Sequence, residues 1–232
     1  MKKEYTSCTW QNSNQCEECR NKNALNCRWK ASDLVLFFMI AMPAMLGTLS
    51  GTILIGLCQG VWWPTIVYIL FFPIILGVFE TRFLCSHCPF YAEDGKVLHC
   101  IANHGLFKIW RYHPEPMNRF EKILMIILAI VFVILLPGSI LGYDIWYFAI
   151  SPLYNNITLF TVVSLTVVVA MSLIGMVFIM AKSVCSKCVN FSCPFNMVKK
   201  SIRDDYLRKN PVMLKAWEDK GYKLGESEDK KT

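Results

Sequence analysis

The stretch ITLFTVVSLTVVVAMSLIGMVFIMA, Ile157 to Ala181, holds no Lys, Arg, Asp or Glu. A helix crosses a hydrocarbon core with about 20 residues, so this run is long enough to span a membrane and too long for a buried soluble helix. Three further runs share the property: Leu34 to Cys58, Val61 to Phe79 and Ile123 to Gly142. The whole chain agrees, with 54% hydrophobic and 18% charged residues and a mean hydropathy of +0.38. These values exclude a disordered chain and a small secreted disulfide scaffold. The first run follows some thirty polar residues and lacks a short basic leader and a small-residue cleavage site, so it reads as a span of the mature protein.

The expected fold is therefore all-α, an integral membrane four-helix bundle. It divides into an N-terminal Cys-rich segment (1–32), the bundle with its central loop (33–181, loop 81–122), and a Cys-rich charged tail (182–232). All 24 Lys and Arg lie in the N-terminal segment, in the loop from Thr81 to Lys122, or after the fourth run. Short translocated loops avoid such residues, so these three segments are expected to be cytoplasmic, with both termini inside, in a bacterial-type inner (cytoplasmic) membrane. The opposite side, which includes the loop Tyr143 to Asn156, carries Trp62, Trp63, Tyr143, Trp146, Tyr147 and Tyr154, rings suited to a headgroup layer. Phe107, Ile109, Trp110 and Tyr112, interleaved with Lys108 and Arg111, read as a platform on anionic lipid. Topology and lipid account for the basic excess of +7, so no nucleic-acid partner is expected.

Ten of the eleven cysteines fall on the basic side: Cys8, Cys16, Cys19, Cys27, Cys85, Cys88, Cys100, Cys185, Cys188 and Cys193. The cytosol keeps thiols reduced, so dense cysteines there point to metal ligation rather than disulfides. Three C-x-x-C pairs occur, Cys16/Cys19, Cys85/Cys88 and Cys185/Cys188, and all ten are candidate metal ligands. The second and fourth runs both lead into C-S-x-C and a C-P-F tripeptide, which reads as a short internal repeat of two helical hairpins. Thiolates serve iron–sulfur clusters and zinc alike. Cys185-x2-Cys188-x4-Cys193-Pro194 is close to ferredoxin spacing, which favours an iron–sulfur cluster, and zinc is the alternative. The N-terminal four are expected to form a site of their own.

His87, His99, His104 and His113 all lie in the central loop, so no span offers a ligand for haem. His87 and His99, beside cysteines, are candidate cofactor-binding residues, as ligands or as proton carriers for a quinone. The spans appear without ionisable groups in the sequence, which argues against an ion transporter. Gly47-x3-Gly51 gives the first helix a face for close approach, by a neighbouring helix or by a second subunit in a homo- or hetero-oligomer.

Four helices with Cys88-Pro89 and Cys193-Pro194 after the second and fourth resemble the NapH-type membrane ferredoxin-like quinol dehydrogenases. The resemblance implies electron transfer between the membrane quinone pool and a redox protein on the cytoplasmic side. Two other readings stay open: a zinc-stabilised membrane scaffold or assembly factor, and a thiol-based carrier of metal or cofactor.

Overall fold

A computed structural model of the chain describes Cys19 and residues 21–100, 103–151 and 156–225. Four helices are long and apolar enough to cross a membrane: α1 (Ala31–Gln59), α2 (Trp63–His87), α3 (Arg119–Ile150) and α4 (Ile157–Lys187). Two short helices follow, α5 (Lys200–Arg208) and α6 (Pro211–Glu218). Among the described residues there is no strand, only an isolated antiparallel bridge between Val97 and Phe107. The fold is all-helical and that of a multi-pass membrane protein.

Local chemistry sets the helix ends. α1 stops at Gly60, whose φ of 72° needs the left-handed region, and the Gly60 N–H returns to the Gly56 carbonyl. α3 starts at a capping box in which Asn118 and Glu121 satisfy each other's backbone N–H groups, both at 2.9 Å. Pro73 and Pro137 lie inside α2 and α3 and remove backbone donors. Each helix widens to a π-helical segment beside its proline, Ile75–Glu80 and Val131–Leu135.

All four helices run further than the apolar runs at one end or both. α3 continues from Gly142 to Ile150 because nothing breaks it before Ser151, which turns extended ahead of Pro152. This corrects the reading of Tyr143 to Asn156 as a loop and of the spans as free of ionisable groups: Asp144 lies inside α3 and is 1% exposed.

α1 is the hub, packing on α2, on the second half of α3 and on α4. Its glycines make this possible. A Cβ at Gly47 would stand 2.3 Å from Val169 of α4, and one at Gly51 would meet Asp144, Ile140 and Leu141 of α3 within 3.0 Å. Of the two uses expected for the Gly47/Gly51 face, contact within the bundle is the one observed. Ser172 Oγ donates across to the Ile40 carbonyl at 2.8 Å and Tyr68 Oη to that of Met45 at 3.1 Å. The outward faces keep Leu46, Ile69, Leu70, Phe160, Val167 and Phe178 exposed, which suits hydrocarbon as solvent.

A second core forms outside the bundle. Leu25 before α1, Phe90, Tyr91 and Leu98 of the central loop, and Val189, Phe191, Tyr206, Leu207, Met213 and Trp217 of the tail pack together with Cys85 and Cys88. The N-terminal segment, central loop and tail therefore meet at one end of the four helices.

The tail is tied down at Asp204, which is 4% exposed. Lys200 Nζ reaches Asp204 Oδ2 at 3.0 Å, the Gly225 N–H donates to the same oxygen at 3.0 Å, and the Tyr222 hydroxyl donates to Oδ1. Burial works against the charge, but the bonds from Tyr222, Gly225 and Lys200 outweigh it and hold the Asp204 carboxyl below its ordinary value. A depressed carboxyl stabilises the fold above the unfolded pKa of about 3.9 and loses that contribution as pH falls through its folded value. Acidification below about pH 4 is therefore expected to release the Tyr222 strap from Trp217, whose rings now sit 5.1 Å apart. Tryptophan emission reads the step, and Asp204→Asn should abolish it; identical acid profiles for both proteins would refute the assignment.

Candidate metal centre

The ends of α2 and α4 are built alike. Each helix passes through a π-helical segment, Ile75–Glu80 or Met180–Val184, and closes in a 3-10 turn, Cys85–His87 or Cys185–Lys187. The serine inside each turn donates to the carbonyl four residues back, Ser86 to Arg82 and Ser186 to Lys182, both at 2.5 Å. The flanking dihedrals agree as well. Leu84 and Val184 have φ/ψ of −103°/−55° and −107°/−59°, and Cys88 and Cys188 have −86°/136° and −76°/130°. The repeat legible in C-S-x-C thus extends to the backbone, and it sets two equivalent thiol turns at the same end of the bundle.

The two turns are joined directly. Asn190, two residues past Cys188, donates its amide to the Leu84 carbonyl at 2.9 Å. Asn196 braces the tail loop by donating to the carbonyls of Cys188 and Asn190 at 2.8 and 3.0 Å, while the Met197 N–H returns to Cys185 at 3.0 Å.

Thiols from both turns and from the central loop share one electrostatic neighbourhood. Burial pushes the Cys88 thiol well up, and the thiol groups of Cys100, Cys188 and Cys85 push the same way. Cys188 is raised by burial and then by Cys193, Cys100 and Cys185. Cys193 is pushed up to about 11 by burial, with Cys185 and Glu80 adding to it. Each of these shifts is opposed by a backbone N–H two residues on, that of Phe90 for Cys88, Asn190 for Cys188 and Phe195 for Cys193. The Asn190 N–H stands 3.4 Å from Cys188 Sγ, and the Asn103 amide donates to Cys85 Sγ at 3.2 Å.

Six buried or half-buried thiols, four of them with donors aimed at sulfur, form a pocket that resists thiolate charge until a cation compensates it. The donor set fits a soft metal or a cluster. Among the described residues no three Cys, His, Asp or Glu side chains converge as a coordination sphere, so the thiols are gathered rather than drawn onto one point. No disulfide joins the nine described cysteines.

The N-terminal cysteines divide. Cys19 accepts a hydrogen bond from Lys209 Nζ at 3.0 Å; burial would raise its thiol, but Lys209 and the Asn21 N–H hold it below its ordinary value. Cys27 packs against the shared core, next to Asn26, whose N–H donates to the Lys187 carbonyl at 2.7 Å beside the second thiol turn. Cys8 and Cys16 lie outside the described residues, as does Tyr154 of the aromatic side.

His87 is 2% exposed and pairs Nδ1 with the Glu115 carbonyl at 2.7 Å, which fixes the proton on that nitrogen. Its Nε2 faces Glu121 Oε2 at 3.6 Å, and Arg82 Nη1 lies 4.0 Å from the other oxygen of Glu121. His99 Nδ1 is paired with Glu93 Oε2 at 2.5 Å, and its ring leans on Trp29 and His104. Asn103, Asn190 and Glu80 carry the surroundings of the thiols and Glu121 those of His87, and no motif in the sequence marks them. Asn190 has the nearest thing to a signal, its place two residues after a ligand-type cysteine.

Fold and site together define a multi-pass helical membrane protein with a thiol-rich module at one end. Comparison with protein-family models, with curated proteins and with solved structures finds no match.

Proposed function

We propose that the chain is a membrane-bound iron–sulfur protein that passes electrons between a cytoplasmic redox partner and the membrane quinone pool. The observation that carries this reading is the set of N–H donors two residues beyond Cys88, Cys188 and Cys193, each aimed at its sulfur. Such bonds stabilise thiolate and tune the potential of a cluster held by it. Cys85, Cys88, Cys100, Cys185, Cys188 and Cys193 would hold the group, which when bound supplies reversible one-electron chemistry. Asn103 and the three N–H groups hold sulfur charge, and the core of Phe90, Leu98, Val189 and Phe191 keeps water from it. The buried His87 and Glu121 and the half-buried Arg82 lie between these turns and the first turn of α3, where a quinone headgroup at the inner leaflet would find proton-bearing groups. Cys8, Cys16, Cys19 and Cys27 supply a second set of thiols on the cytoplasmic side, the side assigned by the one-sided Lys and Arg.

Anaerobic purification with iron, acid-labile sulfide and zinc analysis tests the reading. Iron with matching sulfide, and a signal that quinol reduces, is the expected result. Zinc without sulfide makes the protein a metal-stabilised scaffold. Labelling of Cys100 by an impermeant maleimide added outside intact cells would reverse the orientation.

A further inference from the structure

Asp144 stands apart from the thiol module, in the half of the bundle away from it. It lies six residues before the Ile150 end of α3, about 9 Å along the axis at 1.5 Å per residue. The residue it meets on α1, Gly51, lies eight residues before Gln59, about 12 Å below the end of that helix. Asp144 is 1% exposed, and neither carboxyl oxygen has a hydrogen-bond partner. Gly51 leaves the space it fills, since a Cβ there would stand 2.8 Å from Asp144 Oδ2. No hydrated ion fits in a contact this close.

We infer that Asp144 is a proton-binding site inside the membrane bundle, a carboxylic acid that keeps its proton at neutral pH. An unpaired carboxylate in hydrocarbon is among the most costly groups a bundle can bury, so it needs either a cation or a proton. The neighbouring helices supply no cation. Between Leu34 and Gln59 the titratable group of α1 is Cys58; residues 157–181 of α4 have none; and residues 123–150 of α3 add, besides Asp144, the phenols of Tyr143 and Tyr147. Thiol and phenol are neutral at pH 7 and none of these groups is basic. The proton is the partner that remains. Tyr143, whose hydroxyl donates to Gln59 Oε1 at 2.8 Å, pins α3 to the end of α1 just above the carboxyl and holds it in the contact.

A protonated carboxyl in a membrane reacts with dicyclohexylcarbodiimide. The acid adds across a C=N bond, its oxygen bonding to the central carbon and its proton passing to nitrogen. An oxygen-to-nitrogen acyl shift then gives a stable N-acylurea with no leaving group. An ordinary aspartate, with a pKa of about 3.9, is protonated about once in a thousand molecules at pH 7 and does not compete.

The full chain in lipid nanodiscs at pH 7 is expected to gain one reagent mass on the peptide containing Asp144, and Asp144→Asn should lose it. The unmodified wild type should also show the infrared carbonyl band of a protonated acid, absent from Asp144→Asn. The infrared band is assigned to Asp144 by its loss in Asp144→Asn, while the adduct on the wild-type peptide reads the carboxyl without any variant. Gly51→Ala, which pushes the carboxyl from its space, should weaken both signals. Wild type with a carboxylate band, no acid band and no adduct overturns the inference. None of these outcomes depends on the metal content of the thiol module.

Discussion

Serine at Cys88 and serine at Cys193, in separate variants, are expected to remove one and the same metal signal. The two residues lie in different thiol turns, one after α2 and the other after α4, about a hundred positions apart. Electrostatics links the two groups: Cys88 is raised by Cys188 of the other turn, Cys188 by Cys100 of the central loop, and Cys193 by Cys185 of its own turn and by Glu80 of α2. Each group alone has three cysteines, whereas a tetrahedral site or a cluster takes four ligands. Shared ligation resolves the shortfall, and it makes both serine variants equivalent.

Iron analysis, the visible spectrum and reduction by quinol should all fall together in both. Loss of a donor rather than a ligand is a milder change: Asn103→Leu should keep the centre and weaken it by about 10–100-fold, the usual cost of losing a group that hydrogen-bonds a ligand. Two variants that lose different signals would mean two separate centres. Unchanged metal in both would return the thiols to a scaffold or carrier role.

The spans were legible because a membrane imposes a negative rule, the absence of charge over some 20 residues, that survives any arrangement of the helices. Their ends were not. A helix does not stop where hydropathy falls; α3 stops at Ser151, where Pro152 forbids the next turn, and that eight-residue difference moves Asp144 from a loop into the bundle. The one-sided cysteines and the C-S-x-C repeat were legible because a ligand-bearing turn has a local signature. Asn103, Asn190 and Glu80 were not, since their roles arise only when the central loop and the tail pack together. Gly47 and Gly51 showed where a close approach occurs, but only packing shows that Val169, Ile140 and Leu141 fill it.

Trp217→Ala is expected to detach the tail from the bundle. The indole is 4% exposed, lies edge-on to Tyr222, and donates from Nε1 to the Pro114 carbonyl at 3.0 Å. That bond joins α6 to the central loop across 103 positions of chain. Truncating a buried tryptophan costs about 3–5 kcal/mol, and the abandoned carbonyl adds to it. Trp217→Phe should keep most of the packing and lose the hydrogen bond, for about 1 kcal/mol.

Trypsin reads the difference in membranes, because Lys209, Lys215 and Lys220 lie on either side of α6 or within it. Cleavage there should be fast in Trp217→Ala, intermediate in Trp217→Phe and slow in wild type. The four spans should survive, since their packing on α1 does not involve the tail. Metal should fall with the tail, because the core containing Trp217 also contains Cys85, Cys88 and Val189, and so holds the two thiol turns in register from the aqueous side. Faster cleavage with metal retained would show that the Asn190 to Leu84 bond suffices to align the turns. Unchanged cleavage would show that Trp217 does not hold the tail.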